Sequence, residues 1–265
     1  MTEQLQQRPF GSTGINVSVV GLGTVKLGRD QGVKYPQGFK IPDDRDALNL
    51  IALAKDLGIN LIDTAPAYGN SEERLGKLLT GQRQDWVICS KVGEEFENGQ
   101  SRFDFSTRHT RFSIERSLQR LHTDYIDMVL VHSDGNDERI IQQEGVLETL
   151  AELKQQGKIR AFGMSTKTVA GGLLAAKQSD GVMVTYNLNQ REEVPVIDYC
   201  LAHNKGVLIK KALASGHACL DSGEDPVQAS FDLVLGHQGV SSAIVGTINP
   251  KHLRDNVLCA IQSAR

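Results

Sequence analysis

The stretch Asn60–Leu79 (NLIDTAPAYGNSEERLGKLL) places a carboxylate, Asp63, at the end of a short apolar run, and a phenol, Tyr68, five residues further on in a turn that carries Pro and Gly. Two later apolar runs also end in ionisable groups. Trp86–Ser90 (WVICS) is followed by Lys91, and Ile126–Val131 (IDMVLV) by His132. Any one of these has an ordinary explanation: a turn cap, a rim aromatic, a solvated lysine, a hydrogen-bonded core histidine. All four at the ends of three successive strand-like runs point instead to shared chemistry.

That chemistry is protonation of a developing alkoxide. A phenol ordinarily titrates near pH 10 and is a weak acid–base at neutrality. An adjacent ammonium stabilises the phenolate, and a carboxylate beside the ammonium keeps it charged and oriented. An imidazole can hydrogen-bond a carbonyl oxygen, orienting it or sharing the proton. The roles this suggests are Tyr68 as proton donor, Lys91 as its tuner, Asp63 as the lysine's partner and His132 as the orienting group. No side chain supplies a hydride, so a reduced nicotinamide is expected as cofactor.

The elements that must position these groups alternate along the whole chain. Val17–Gly21 reads as a first strand. The turn Gly11-Ser12-Thr13-Gly14 before it lets Gln4–Pro9 and Ile15–Val17 form a short N-terminal β-hairpin. Asp43–Leu57 carries a helical apolar stripe ended by Gly58, and Ser71–Leu79 opens with Glu72 and Glu73, suited to a helix N-terminus. Strand and helix then follow as Trp86–Ser90 with 106–121, Ile126–Val131 with 145–155, and Ile159–Gly163 with 168–178. The last three pairs are Val182–Thr185 with 195–203, Val207–Ile209 with 226–235, and Ala243–Val245 with 250–261. Eight repeats in about 250 residues favour a closed (β/α)8 TIM barrel over an open sheet. No composition break divides residues 1–265, so one domain is expected. In such a barrel the groups at the strand ends share the C-terminal face.

The charge balance is nearly even, Lys+Arg 29 against Asp+Glu 32, which gives no nucleic-acid footprint. Cys89, Cys200, Cys219 and Cys259 include no C-x-x-C pair and read as reduced thiols. The polar start MTEQLQQRPF and the lack of a long apolar run lead us to expect a cytoplasmic protein without a membrane partner. The histidines show no metal spacing, and no phosphate-binding glycine loop is present. A Schiff-base role for Lys91 would leave Tyr68 and His132 unemployed.

The chain resembles the aldo-keto reductase superfamily over nearly its whole length. The resemblance is carried by GLGT at Gly21–Thr24, LIDTAPAYGNSEERLG at Leu61–Gly76, SK at Ser90–Lys91 and SIERSLQRLHTDYIDMVLVH at Ser113–His132. It continues through GKIRAFGMST at Gly157–Thr166 and VGTINPKHLRDN at Val245–Asn256. It implies NAD(P)H-dependent reduction of a small-molecule carbonyl substrate, with Asp63, Tyr68, Lys91 and His132 as the catalytic set.

For the cofactor, the resemblance implies Gly23 and Thr24 near the nicotinamide ribose and Ser165 on the carboxamide, with Thr166 where relatives have asparagine. Asp63 is also expected beside the nicotinamide. Met183 stands where relatives have a carboxamide-binding glutamine. Lys210 stands where many have an aromatic that stacks on the nicotinamide; a lysine there could contact the cofactor's phosphates or the substrate. Leu213 to Gly216, including Ser215, matches the loop over the pyrophosphate. Gly246, Thr247, His252 and Asn256 match the adenosine-phosphate site, at a helix N-terminus near Pro250 that suits an anion. No carboxylate stands where a 2′-phosphate would be rejected, so NADP(H) is favoured and NAD(H) is possible. The competing reading is a non-catalytic nucleotide-binding scaffold or sensor subunit, against which the intact set of four argues. A monomer or weak oligomer is expected. The polar loops 24–42 and 133–139 suggest a polar or charged substrate.

Overall fold

A computed structural model describes residues 4–33, 38–214 and 225–264. Ser215, one of the expected cofactor residues, lies outside them.

Eight parallel strands close into a barrel. In chain order the first are β3 (Val20–Gly23), β4 (Leu61–Asp63), β5 (Val87–Val92) and β8 (Ile126–His132). The others are β9 (Ile159–Ser165), β10 (Gly181–Thr185), β11 (Gly206–Lys210) and β12 (Ser242–Val245). Helices run outside: α2 (Asp44–Asp56), α3 (Ser71–Leu78), α4 (Thr107–Arg120), α6 (Val146–Gln155), α7 (Val169–Gln178), α8 (Val194–Ala202), α9 (Pro226–Gly236) and α10 (Pro250–Ser263). Side-chain caps start several of them. Asp43 accepts from Asp46 N, Ser106 from His109 N, and Asn249 from Lys251 N and His252 N. Among the described residues no helix is long and apolar enough to cross a membrane.

The expected N-terminal hairpin is present as β1 (Gln7–Pro9) and β2 (Asn16–Ser18). The first barrel strand starts later than the expected Val17. Val17 and Ser18 belong to the hairpin's return strand, and Val19 separates it from β3. Phe10, at the hairpin's end, is fully buried and packs where a Cβ on Gly206 would come within 2.3 Å of its ring. It stoppers the N-terminal mouth, leaving the opposite end for a site.

Two short helices and a second hairpin interrupt the alternation. α1 (Val25–Gly28) follows β3, and α5 (Asp137–Gln143) follows β8. A second hairpin, β6 (Glu94–Glu97) and β7 (Gln100–Phe103), follows β5 directly. Its turn is Asn98-Gly99, both at positive φ (52° and 80°), the dipeptide that favours tight hairpin turns.

The strands' two-residue period positions the site. The inner core holds Leu61, Cys89, Leu130, Ala161, Met183 and Leu208. Stepping by two along each strand carries the inward face from Leu61 to Asp63, Cys89 to Lys91, Leu130 to His132 and Ala161 to Ser165. On the remaining strands it runs from Met183 to Thr185 and Leu208 to Lys210. Apolar residues fill the barrel below, and polar or charged ones cap it.

Candidate active site

Asp63, Tyr68, Lys91 and His132 come together at the C-terminal mouth. Lys91 Nζ lies 2.5 Å from Asp63 Oδ1 and donates also to Thr64 O at 3.0 Å. Both charged side chains are almost wholly buried, at 2% and 5% exposure. The Lys91 ammonium is held well above its ordinary range. Burial, the largest single effect, would lower it, but the charge and hydrogen bond of Asp63 together with Tyr68 and Cys89 outweigh it. The same ammonium sits 5.0 Å from the centre of the Tyr68 ring, and the Tyr68 hydroxyl is 3.5 Å from Asp63 Oδ2. The His132 ring meets Tyr68 edge-on at 6.4 Å between centroids.

The loop holding Tyr68 is fixed to its neighbours. Thr24 N and Oγ1 both donate to Asp63 O, at 3.0 and 2.9 Å; Ser71 Oγ donates to Thr24 Oγ1, and Thr64 Oγ1 to Ser71 Oγ. Thr24 thus spends its hydroxyl on clamping the strand end. Gly23 faces inward beside Asp63, its register partner on β4.

A second cluster lies across the mouth. Lys210 Nζ donates to Ser165 Oγ at 3.0 Å and to Thr166 O at 2.5 Å. Burial pulls the Lys210 ammonium down to about 8, partly opposed by Glu193. Glu193 accepts from Thr185 N at 2.8 Å, and Thr166 Oγ1 is 3.4 Å from Glu193 Oε1. Lys210, Ser165 and Thr166 therefore form one connected group. Met183 meets it through the backbone, pairing with Ser165 and accepting from Thr166 N at 3.1 Å, and its side chain is buried in the inner core.

The remaining expected cofactor residues are spread along the outer rim. Leu213 packs partly buried against the core beside Ala214, which has φ 48°. Gly246 follows β12, and Thr247 accepts from Asn249 N at 3.1 Å. His252 is exposed in the first turn of α10 and Asn256 is buried on the same helix. The Asn249 cap already engages the amides of Lys251 and His252, two donors that an anion at this helix start would otherwise meet. Lys251 pairs with Asp255 at 2.7 Å on the surface.

The structure adds groups to the mouth that sequence reasoning passed over. Glu94, the first residue of β6, brings Oε2 within 2.7 Å of His132 Nδ1. Arg29, one of the polar residues of the 24–42 loop, lies 3.9 Å from Glu94 Oε1, stacks 3.4 Å over the Phe96 ring and donates to Ala67 O beside Tyr68. The sequence signal for the hairpin was the turn dipeptide Asn98-Gly99. The polar loop after His132 is largely spent on itself. Ser133 Oγ donates to Asp137, Asp137 accepts from Lys167 N and Thr168 N, and Arg139 pairs with Asp134 and Glu144. Among the described residues no cluster of His, Cys, Asp and Glu is arranged to hold a metal.

The model of the aldo/keto reductase family matches residues 19–219. A crystal structure of a protein from Pseudomonas aeruginosa assigned to the aldo-keto reductases is 59% identical. It covers 100% of this chain and 98% of its own, with a TM-score of 0.91. L-galactose dehydrogenase from Arabidopsis thaliana is 28% identical over 96% of this chain and 88% of its own length. An NADH-specific methylglyoxal reductase from Escherichia coli is 34% identical over 60% of this chain and 51% of its own length. The chain spans 43% to 66% of the length of several other curated relatives it matches.

Proposed function

The chain belongs to the aldo/keto reductase family and is an oxidoreductase, and we propose that it reduces an aldehyde or ketone with NADP(H), Tyr68 giving the proton. The observation that carries this reading is the buried Lys91–Asp63 pair set beneath the Tyr68 ring.

The chain's own residues divide the work. Tyr68 donates its phenolic proton to the carbonyl oxygen as that oxygen gains charge. The Lys91 ammonium stabilises the phenolate left behind. Asp63 keeps Lys91 protonated in a site that would otherwise neutralise it. The apolar barrel interior beneath, Leu61 and Leu208 among it, closes the site to water from below. A bound reduced nicotinamide supplies the hydride.

The donor set at the opposite rim fits that cofactor. A carboxamide has one strong acceptor and one donor group. Ser165 offers a hydroxyl and Lys210 an ammonium, held together at 3.0 Å. Gly23, beside Asp63, leaves the end of β3 without a side chain at the mouth. The preference for NADP(H) is supported by Lys251, His252 and Arg254 in the first turns of α10. Asp255 tempers it by pairing with Lys251.

The test is cofactor oxidation, followed by absorbance, with NADPH and NADH against a panel of aldehydes and ketones such as a nitrobenzaldehyde. Turnover with a lower KM for NADPH is expected. Tight NADPH binding without turnover of any carbonyl would favour a nucleotide sensor instead.

A further inference from the structure

Two lysines face the barrel mouth, and they are balanced differently. Lys91 has its counter-charge, Asp63, in direct contact at 2.5 Å. The Lys210 ammonium instead donates to two neutral groups, Ser165 Oγ at 3.0 Å and Thr166 O at 2.5 Å. Glu193 is the carboxylate that acts on it most strongly, but its oxygens are engaged elsewhere. Oε2 accepts from Thr185 N at 2.8 Å, and Oε1 lies 3.4 Å from Thr166 Oγ1. The other charges of the mouth cancel locally, with Glu94 facing Arg29 at 3.9 Å, while burial holds the His132 imidazolium below its ordinary range. Among the described residues, Lys210 thus gives the mouth one positive charge that no ion pair balances.

That charge sits where the site would take up a nicotinamide. Ser165 is the register partner of His132 on the neighbouring strand, and its hydroxyl accepts from Lys210. A carboxamide held by Ser165 therefore lies within reach of the Lys210 ammonium. The ring that bears this carboxamide is neutral in the reduced cofactor and carries one positive charge in the oxidised cofactor. The rest of the dinucleotide is the same in both, so this charge is the main difference a protein can read. We infer that Lys210 is a specificity-determining residue for the cofactor's redox state: its ammonium, held beside Ser165 without a carboxylate partner, favours the reduced nicotinamide and repels the oxidised one. This rests on the reading of Ser165 and Lys210 as the carboxamide site.

The selection lasts only while Lys210 is charged. Burial, the largest effect, pulls its midpoint down to about 8. Glu193 at the start of α8 and Asp137 of α5 oppose this, whereas Lys211 beside it and Lys167 after β9 add to it. His132 on β8 feels both Lys210 and Lys91. At pH 7 the ammonium is charged and the oxidised cofactor is repelled, which helps fresh reduced cofactor replace the spent one. Above the midpoint the amine is neutral and the discrimination fades. Linkage makes the effect reciprocal: the oxidised ring lowers the Lys210 midpoint by as much as Lys210 weakens its binding. For two partly screened unit charges at the two ends of one carboxamide contact, this amounts to about tenfold in affinity, or about one pH unit in the midpoint.

The test is binding rather than turnover. Titration calorimetry on the full chain gives Kd for NADP+ and for NADPH from about pH 6.5 to 9.5, bracketing the midpoint, with NAD+ and NADH as a second pair. In wild type the ratio Kd(NADP+)/Kd(NADPH) should fall by about tenfold as pH rises through this window. Lys210→Met, which carries no charge, should hold the ratio low at every pH. Lys210→Arg, which keeps the charge but does not titrate in this range, should hold it high at every pH. Three such curves would support the selector role, because a merely structural lysine would change both affinities alike and leave their ratio untouched. A wild-type ratio that does not vary with pH, or the wild-type profile persisting in Lys210→Met, overturns the inference. So does a Lys210→Met protein that loses both forms equally. Failure of wild type to bind either pair would instead overturn the nicotinamide reading of the site, and this inference with it.

Discussion

Lys91 Nζ and Asp63 Oδ1, 28 positions apart in the chain, meet at 2.5 Å inside a barrel mouth where neither is appreciably exposed to water. Removing one partner strands the other's charge. Breaking such a buried pair typically costs 3–5 kcal/mol. Lys91→Met should therefore cost roughly that much stability, read in a urea unfolding series. It should also lower turnover by about 10²-fold or more, because the Tyr68 phenolate loses its counter-charge. A variant of near-normal stability and turnover would show that the pair is neither structural nor functional.

Tyr68→Phe removes one oxygen and leaves the ring under which Lys91 sits. Turnover should fall by about 10²- to 10⁴-fold, the scale of a lost general acid. Cofactor affinity, followed by quenching of protein fluorescence, should stay within about twofold, on the reading that the hydroxyl acts on the substrate oxygen. Retained turnover would move the proton donor elsewhere, with His132 the next candidate.

The barrel and the four central residues were legible because both follow from local rules. Apolar runs of fixed spacing gave the strands, and the two-residue period carried their inward face up to Asp63, Lys91 and His132. Glu94 was hidden because its partner His132 lies on another strand and the hairpin between β5 and α4 replaces what reads as a loop. Asn98-Gly99 marks that hairpin, but two short, highly charged strands around it offer little periodicity. The Lys210–Ser165 contact joins residues 45 positions apart, and nothing local announces it. The polarity of the 133–139 loop is ambiguous for a related reason: polar residues in a loop serve its own turns as readily as a ligand. Val17 moved from the barrel to the hairpin because a β-branched run does not say where one strand bends into the next.

Lys210 provides a pH signature. Its ammonium is lowered to about 8 in the folded protein, against an ordinary 10.5 for the unfolded chain. Between these values the unfolded chain binds more protons, so stability rises with pH through this window, by at most about 1.4 kcal/mol per pH unit. Lys210→Met should lack that increment. The difference in urea midpoint between wild type and variant should therefore shift in favour of wild type from pH 8 to pH 10. Parallel profiles would mean that Lys210 titrates normally and is not desolvated at the site.

Gly28 and Gly69 test whether Tyr68 depends on the backbone packed against it. A Cβ at Gly28 would come within 2.3 Å of Tyr68 O and 2.4 Å of Ser71 N, and one at Gly69 within 2.0 Å of Gly28 O. Neither contact involves a side chain that could swing away, so the loop itself must shift. Gly69 also sits at φ +62°, which an L side chain adopts at a cost. Gly28→Ala should lower turnover by tenfold or more and cost about 1–3 kcal/mol from overpacking. Gly81→Ala separates strain from displacement. That glycine has φ +77° but nothing within 4 Å of its missing Cβ. It should lose about 1–2 kcal/mol and leave turnover unchanged. Equal kinetic effects from the two variants would mean that turnover follows stability alone. An effect confined to Gly28→Ala would tie the proton donor's position to the close approach of two backbones.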